Sequence, residues 1–166
     1  ENWGKRQLIS MLKNGTGDIR PGFSVVADAS CSFLVAGPCT EAKRNGLTGR
    51  FERSCFLARF NPAQTQMWGM VLSNAWTMHV ATAPDRDFLV AGAFTTAISM
   101  GSDHFTSRGG ADLFVARCDG NGNFRWARRA GGTGADYLYA VAASSSGECF
   151  VAGEFGGGDA VFENTV

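Results

Sequence analysis

In a chain of 166 residues the 15 basic and 15 acidic side chains cancel, and no stretch gathers five or six like charges. That leaves no electrostatic footprint for nucleic acid or anionic lipid, and the longest apolar runs fall far short of the ~20 residues that a membrane-spanning helix needs. Glycine, at 22 residues against a usual share of about 7%, calls for many tight turns.

Read in chain order, residues 1–166 form a single repeat domain. The first strand-like run surrounds Trp3 in Asn2-Trp3-Gly4-Lys5, and strands are expected near 2–12, 22–28 and 32–37. The last of these ends in Phe33-Leu34-Val35-Ala36-Gly37. Residues 1–37 therefore read as a partial unit of three strands. A Gly-, Thr- and Arg-rich link follows over 38–54.

The middle unit, 55–94, carries strands near 55–60, 66–72, 77–83 and 88–94. Its landmarks are Cys55-Phe56-Leu57-Ala58-Arg59-Phe60, Met67-Trp68-Gly69-Met70 and Phe88-Leu89-Val90-Ala91-Gly92. Pro62, Pro84 and Asp85 set turn geometry between the strands. A second link spans 95–112.

The last unit, 113–155, repeats the landmarks as Leu113-Phe114-Val115-Ala116-Arg117-Cys118, Arg125-Trp126-Ala127-Arg128 and Cys149-Phe150-Val151-Ala152-Gly153. Its strands are expected at 113–118, 124–130, 137–143 and 149–155, with turns at 119–123 and 144–148. Residues 156–166 begin a further link.

Tryptophans recurring at roughly sixty-residue intervals, each followed by a Val-Ala-Gly strand, mark an internal repeat. The implied fold is all-β, a β-propeller-like array of four-stranded antiparallel blades with about 2.75 blades visible. Near-continuous apolar runs suit strands covered on both faces. Trp3, Trp68 and Trp126 then fill space between blades, while Gly37, Gly92 and Gly153 permit close approach.

The last unit resembles the SBBP-type β-propeller repeat of bacterial surface and secreted proteins. The likeness runs from Gly110-Ala111-Asp112-Leu113 through Asp119-Gly120-Asn121-Gly122-Asn123 and Gly131-Gly132-Thr133-Gly134-Ala135-Asp136 to Val151-Ala152-Gly153-Glu154-Phe155. It weakens toward the amino terminus: Ser73-Asn74-Ala75-Trp76 replaces the glycine-rich loop in the middle unit, and the first unit keeps Gly15-Thr16-Gly17-Asp18. The resemblance implies an extracellular or cell-surface setting and an interaction or scaffold role, with no catalytic residue shared among members.

Candidate chemistry is sparse. Asp119, Asn121 and Asn123 have the first half of a calcium-loop spacing, but Ala130 stands where an EF-hand closes with an acid, so a hairpin turn is the expected reading and no metal is assigned. The glycines at 131–134 lack the Lys and helix of a phosphate loop. His79 and His104 stand apart from any metal or nucleophile spacing. The odd set Cys31, Cys39, Cys55, Cys118 and Cys149 has no CxxC pair. Asp18 and Asp136 suit loop capping, and the arginines at 59 and 117, with those at 6 and 128 by a looser match, suit pairing within strands.

Trp76 breaks the repeat pattern in an expected loop, which makes it the partner-binding candidate. Propellers close with four to eight blades, so the expected blades need further blades of the same propeller, a homo-oligomer or other protein subunits as partners. The expected function is a non-enzymatic structural or interaction module, without a cofactor. The alternative is a carbohydrate-binding or hydrolytic propeller, for which Asp103, Asp112 and Asp136 are the available carboxylates.

Overall fold

The computed structural model describes residues 23–40, 53–157 and 159–163. The strand expected at 2–12, with Trp3 and Arg6, and the Gly15–Asp18 stretch lie outside the described residues. Among the described residues every element is a strand except a single 3-10 turn at Pro84–Arg86, so the fold is all-β. No helix among them is long and apolar enough to cross a membrane.

The strands are β1 (Ser24–Ala27), β2 (Phe33–Thr40), β3 (Arg53–Phe60), β4 (Gln66–Ser73), β5 (Ala75–Thr82), β6 (Phe88–Met100), β7 (Asp103–Cys118), β8 (Phe124–Gly131), β9 (Tyr137–Ala143), β10 (Cys149–Glu154) and β11 (Val161–Phe162). β-branched and aromatic side chains concentrate in them, as a pleated and half-buried surface favours. All pairings are antiparallel.

Hydrogen bonding sorts these strands into three sheets, in the orders β1-β2-β3-β4, β11-β8-β7-β6-β5 and β10-β9. Among the described residues none of the sheets closes on itself. This grouping differs from the blade boundaries expected at 55–94 and 113–155, because β4 and β5 belong to different sheets, as do β8 and β9. The segments 38–54 and 95–112, expected as links between blades, instead hold paired strand residues within a sheet: Pro38 lies opposite Cys55, and Met100 opposite Asp103.

The physical reason is visible at 95–112. The alternation in Ala97-Ile98-Ser99-Met100 and its partners extends the ladder, and Gly101-Ser102 closes a two-residue hairpin with Gly101 at φ +64°. The sheet-to-sheet crossings are shorter. Asn74 alone, at φ +65°, separates β4 from β5, and residues 132–136 separate β8 from β9.

β6 and β7 are covered on both faces, which accounts for their unbroken apolar sequences. One face sends Phe88, Val90, Phe94 and Phe114 into a core shared with Leu34, Leu57 and Leu72 of the first sheet. The opposite face sends Ala91, Ala93 and Leu113 against Leu138 of the third sheet, with Trp76 and Val141 alongside. Phe88, Phe94 and Phe114 are all but sealed from solvent. Each such ring contributes on the order of 1.5–3 kcal/mol through burial.

Gly153 sits at an irregularity of its ladder and Gly92 within a regular stretch, and the close approach of each is to a strand of its own sheet. A side chain at Gly92 would run into the Thr77 carbonyl, and one at Gly153 into that of Tyr137. Gly37 differs, since its neighbour is the Phe23 ring.

Candidate functional site

One turn recurs along the chain. At Asp28, Asn61, Asp119 and Ser144 the first residue's amide donates to the carbonyl four residues on, and its own carbonyl accepts from the residue three on. The side-chain oxygen of that first residue accepts the amide at the fifth position in each case, as Asx and Ser turns do. The fourth position holds a left-handed backbone in every copy: Cys31, Gln64, Gly122 and Gly147.

In the Asp119 turn the side chains bond to one another and to the turn's own backbone. Asp119 Oδ1 accepts from the amides of Asn121 at 2.8 Å and Asn123 at 3.0 Å, and Asn123 Nδ2 donates to Oδ2 at 3.1 Å. The Asn123 amide, then its side chain, hold the Asp119 carboxyl below its ordinary range. Asp119, Asn121 and Asn123, weighed in the sequence as a cation loop, are here joined as a hairpin turn. Among the described residues no three His, Cys, Asp or Glu side chains gather as a metal set would require.

The tip of this turn is gripped by the first sheet. Arg59 and Trp68 lie directly opposite each other on β3 and β4. Trp68 Nε1 donates to the Gly120 carbonyl at 2.9 Å, and Arg59 Nη1 donates to the same oxygen. Any side chain at Gly120 would strike the Arg59 guanidinium, and Gly122, at φ +88°, lies against the Trp68 indole. The two glycines therefore make the turn thin enough to seat.

Arg59 is itself anchored. Its Nη2 meets Asp28 Oδ2 at 2.7 Å, and its guanidinium stands 5.2 Å from the centre of the Phe88 ring in the second sheet. Burial pushes the Asp28 carboxyl up, but hydrogen bonds from Ser30, the Arg59 charge and the Ser32 amide outweigh it and hold the group below its ordinary value. The result is a clamp between sheets built from one cation, one indole and one exposed carbonyl.

Arg117 and Trp126 are the corresponding opposed pair on β7 and β8. Arg117 Nε meets the buried Asp87 at 2.6 Å and its Nη2 donates to the Pro84 carbonyl at 3.2 Å. Arg125 shares Asp87 at 2.7 Å. The Arg128 guanidinium lies 5.7 Å from the Trp126 ring centre.

The three carboxylates considered for hydrolysis are committed elsewhere. Asp103 accepts the Ala127 amide at 2.9 Å. Asp112 is fully buried and meets Arg129 at 2.9 Å, and Asp136, also fully buried, accepts the amides of Gly132 and Gly156 at 3.1 and 3.0 Å. Burial pushes the Asp112 carboxyl up against the lowering influence of the Arg108 amide and the Arg129 charge. Such groups hold loops and strand ends; Asp112 and Asp136 are sealed from solvent, and Asp103 is half-buried.

Trp76, expected as an exposed anchor in a loop, lies instead in β5. It is half-buried and packs edge-on against Tyr137 at 5.5 Å, because the crossing from β4 takes a single residue and leaves no loop. His79 is half-buried, and desolvation lowers its pKa. His104 is exposed and bonded to Ser99 Oγ at 2.8 Å. Cys31, Cys118 and Cys149 are free thiols.

Gly120, Asp28 and Asp87 were missed as clamp residues in the sequence. The recurring arginine at 59 and 117, each with an aspartate roughly thirty positions earlier, was the available signal. No protein-family model matches the chain, and no curated protein matches it.

Proposed function

We propose that this protein is a non-enzymatic assembly module of the SBBP-type propeller-repeat kind, working by protein–protein contact. The observation that carries the reading is the grip of Arg59 and Trp68 on the Gly120 carbonyl, which joins neighbouring sheets through a recognisable turn rather than through a substrate pocket. Stacking of sheets face on face supports a radial, propeller-like arrangement of blades.

The outward side of the structure supports a contact role. Tyr139, Phe150 and Phe162 are each more than half exposed, in and around the two-stranded third sheet. Exposed apolar groups gathered at one end of a sheet stack mark an interaction surface. Partners of this reading are further blades or other subunits.

Sedimentation velocity over a hundredfold range of protein concentration tests it. Concentration-dependent association is expected, and it should weaken when Phe150 is changed to Ser. A monodisperse monomer that instead binds a defined oligosaccharide on a glycan array would overturn the reading in favour of a carbohydrate-binding module.

A further inference from the structure

The second clamp differs from the first in what its donors meet. Arg117 faces Trp126 across β7 and β8 as Arg59 faces Trp68, and Arg117 is anchored on Asp87 as Arg59 is on Asp28. Each arginine also lies opposite a leucine, Leu34 or Leu89, on the neighbouring strand. In the first clamp both donors end on the Gly120 carbonyl. Among the described residues, Arg117 Nη1 and Trp126 Nε1 donate to no such carbonyl.

A cleft of about 370 Å³ opens beside this second pair, lined by Leu113, Val115, Trp126, Leu138, Cys149 and Val151 among others. It lies between the second sheet and the third. Among the described residues β10 has β9 as its one ladder partner. β2 and β6, which share its Phe and Val-Ala-Gly sequence, have β3 or β7 on the corresponding edge. The segment after β10 does not occupy that edge: Val161 and Phe162 pair with β8, and Glu163 is fastened to Arg108 and Arg129.

We propose that Arg117 and Trp126, with this cleft and the open edge of β10, form a receptor for a β-hairpin carried by a partner polypeptide. The hairpin has the chemistry of β7–β8: an apolar first strand that adds to β10, a turn with glycine at its second and fourth positions, and a second strand bearing Trp. The turn carbonyl between the glycines takes the two donors. Strand addition supplies main-chain hydrogen bonds, and the cleft and clamp supply selectivity. The inference rests on the protein-contact reading and names the partner's chemistry.

The test is fluorescence polarisation of a labelled, backbone-cyclised peptide reproducing residues 113–130, with Ser at the Cys118 position, titrated with the full chain. Saturable binding is expected. W126F, which removes one hydrogen-bond donor and keeps an aromatic ring, should weaken it about fivefold, as should R117M to at least that degree. A peptide with Ala at the Gly120 position should lose tenfold or more, and V25S, at an exposed position of β1, should leave affinity unchanged. Absence of binding by a chain that remains folded by circular dichroism overturns the inference. Equal binding by wild type, W126F and the Ala peptide also overturns it. Self-association of the chain in sedimentation alongside either result leaves the assembly reading standing and removes this receptor alone.

Discussion

Gly120 is held so close to the Arg59 guanidinium that its lack of a side chain is a requirement of the clamp. G120A should therefore cost about 1–3 kcal/mol through overpacking, read from urea unfolding. W68F retains an aromatic face and deletes the bond to the Gly120 carbonyl, so a smaller loss of about 0.5–1.5 kcal/mol is expected in the same assay. The Asp119 carboxyl supplies a pH test. Its folded-state pKa lies below the ordinary 3.8 because turn amides bind the ionised form. Its contribution is full above that ordinary value and is lost as pH falls through the folded one. Between pH 5 and 2 the wild type should lose more urea resistance than D119A, and identical acid profiles would refute the assignment. Burial pushes the Cys118 thiol up to about 12, so iodoacetamide at pH 8 should modify Cys118 only on unfolding, as peptide mass mapping will show.

At the scale of the element, strand positions were readable because runs such as Leu113–Cys118 are β-branched, aromatic and bounded by turn residues. Their partners were less so. Short connections were expected to stay within a blade and long ones to join blades, yet the single residue Asn74 crosses between sheets while 95–112 forms one extended hairpin. Local pattern specifies extended backbone on either side of a link, and which edge it meets is decided by packing. The β7–β8 end of the second sheet is tied by Arg129, almost wholly buried between Asp112 and Glu163. R129M leaves the buried Asp112 charge without its cation, a change that should cost about 3–5 kcal/mol in urea unfolding. Full retention of stability would show that the pair is dispensable.

Across the whole molecule, the middle sheet shares an apolar core with each neighbour, whereas the third has two strands and an exposed outer face. Native-state hydrogen exchange should accordingly find the β6 and β7 amides slowest and those paired between β9 and β10 markedly faster. Uniform protection would contradict that layering. The all-β class, the strand positions and the turn at Asp119 follow from sequence alone, since period-two patterning and Asp, Asn and Gly at fixed offsets act over a few residues. The pairing of strands into sheets, the burial of Trp76 against Tyr137, and the meeting of Arg59 and Trp68 with Gly120 were decided by tertiary structure. These contacts join residues up to 61 positions apart. A recurring sequence sets the spacing of its units without setting where one sheet stops, so the clamp appears only when neighbouring sheets are stacked.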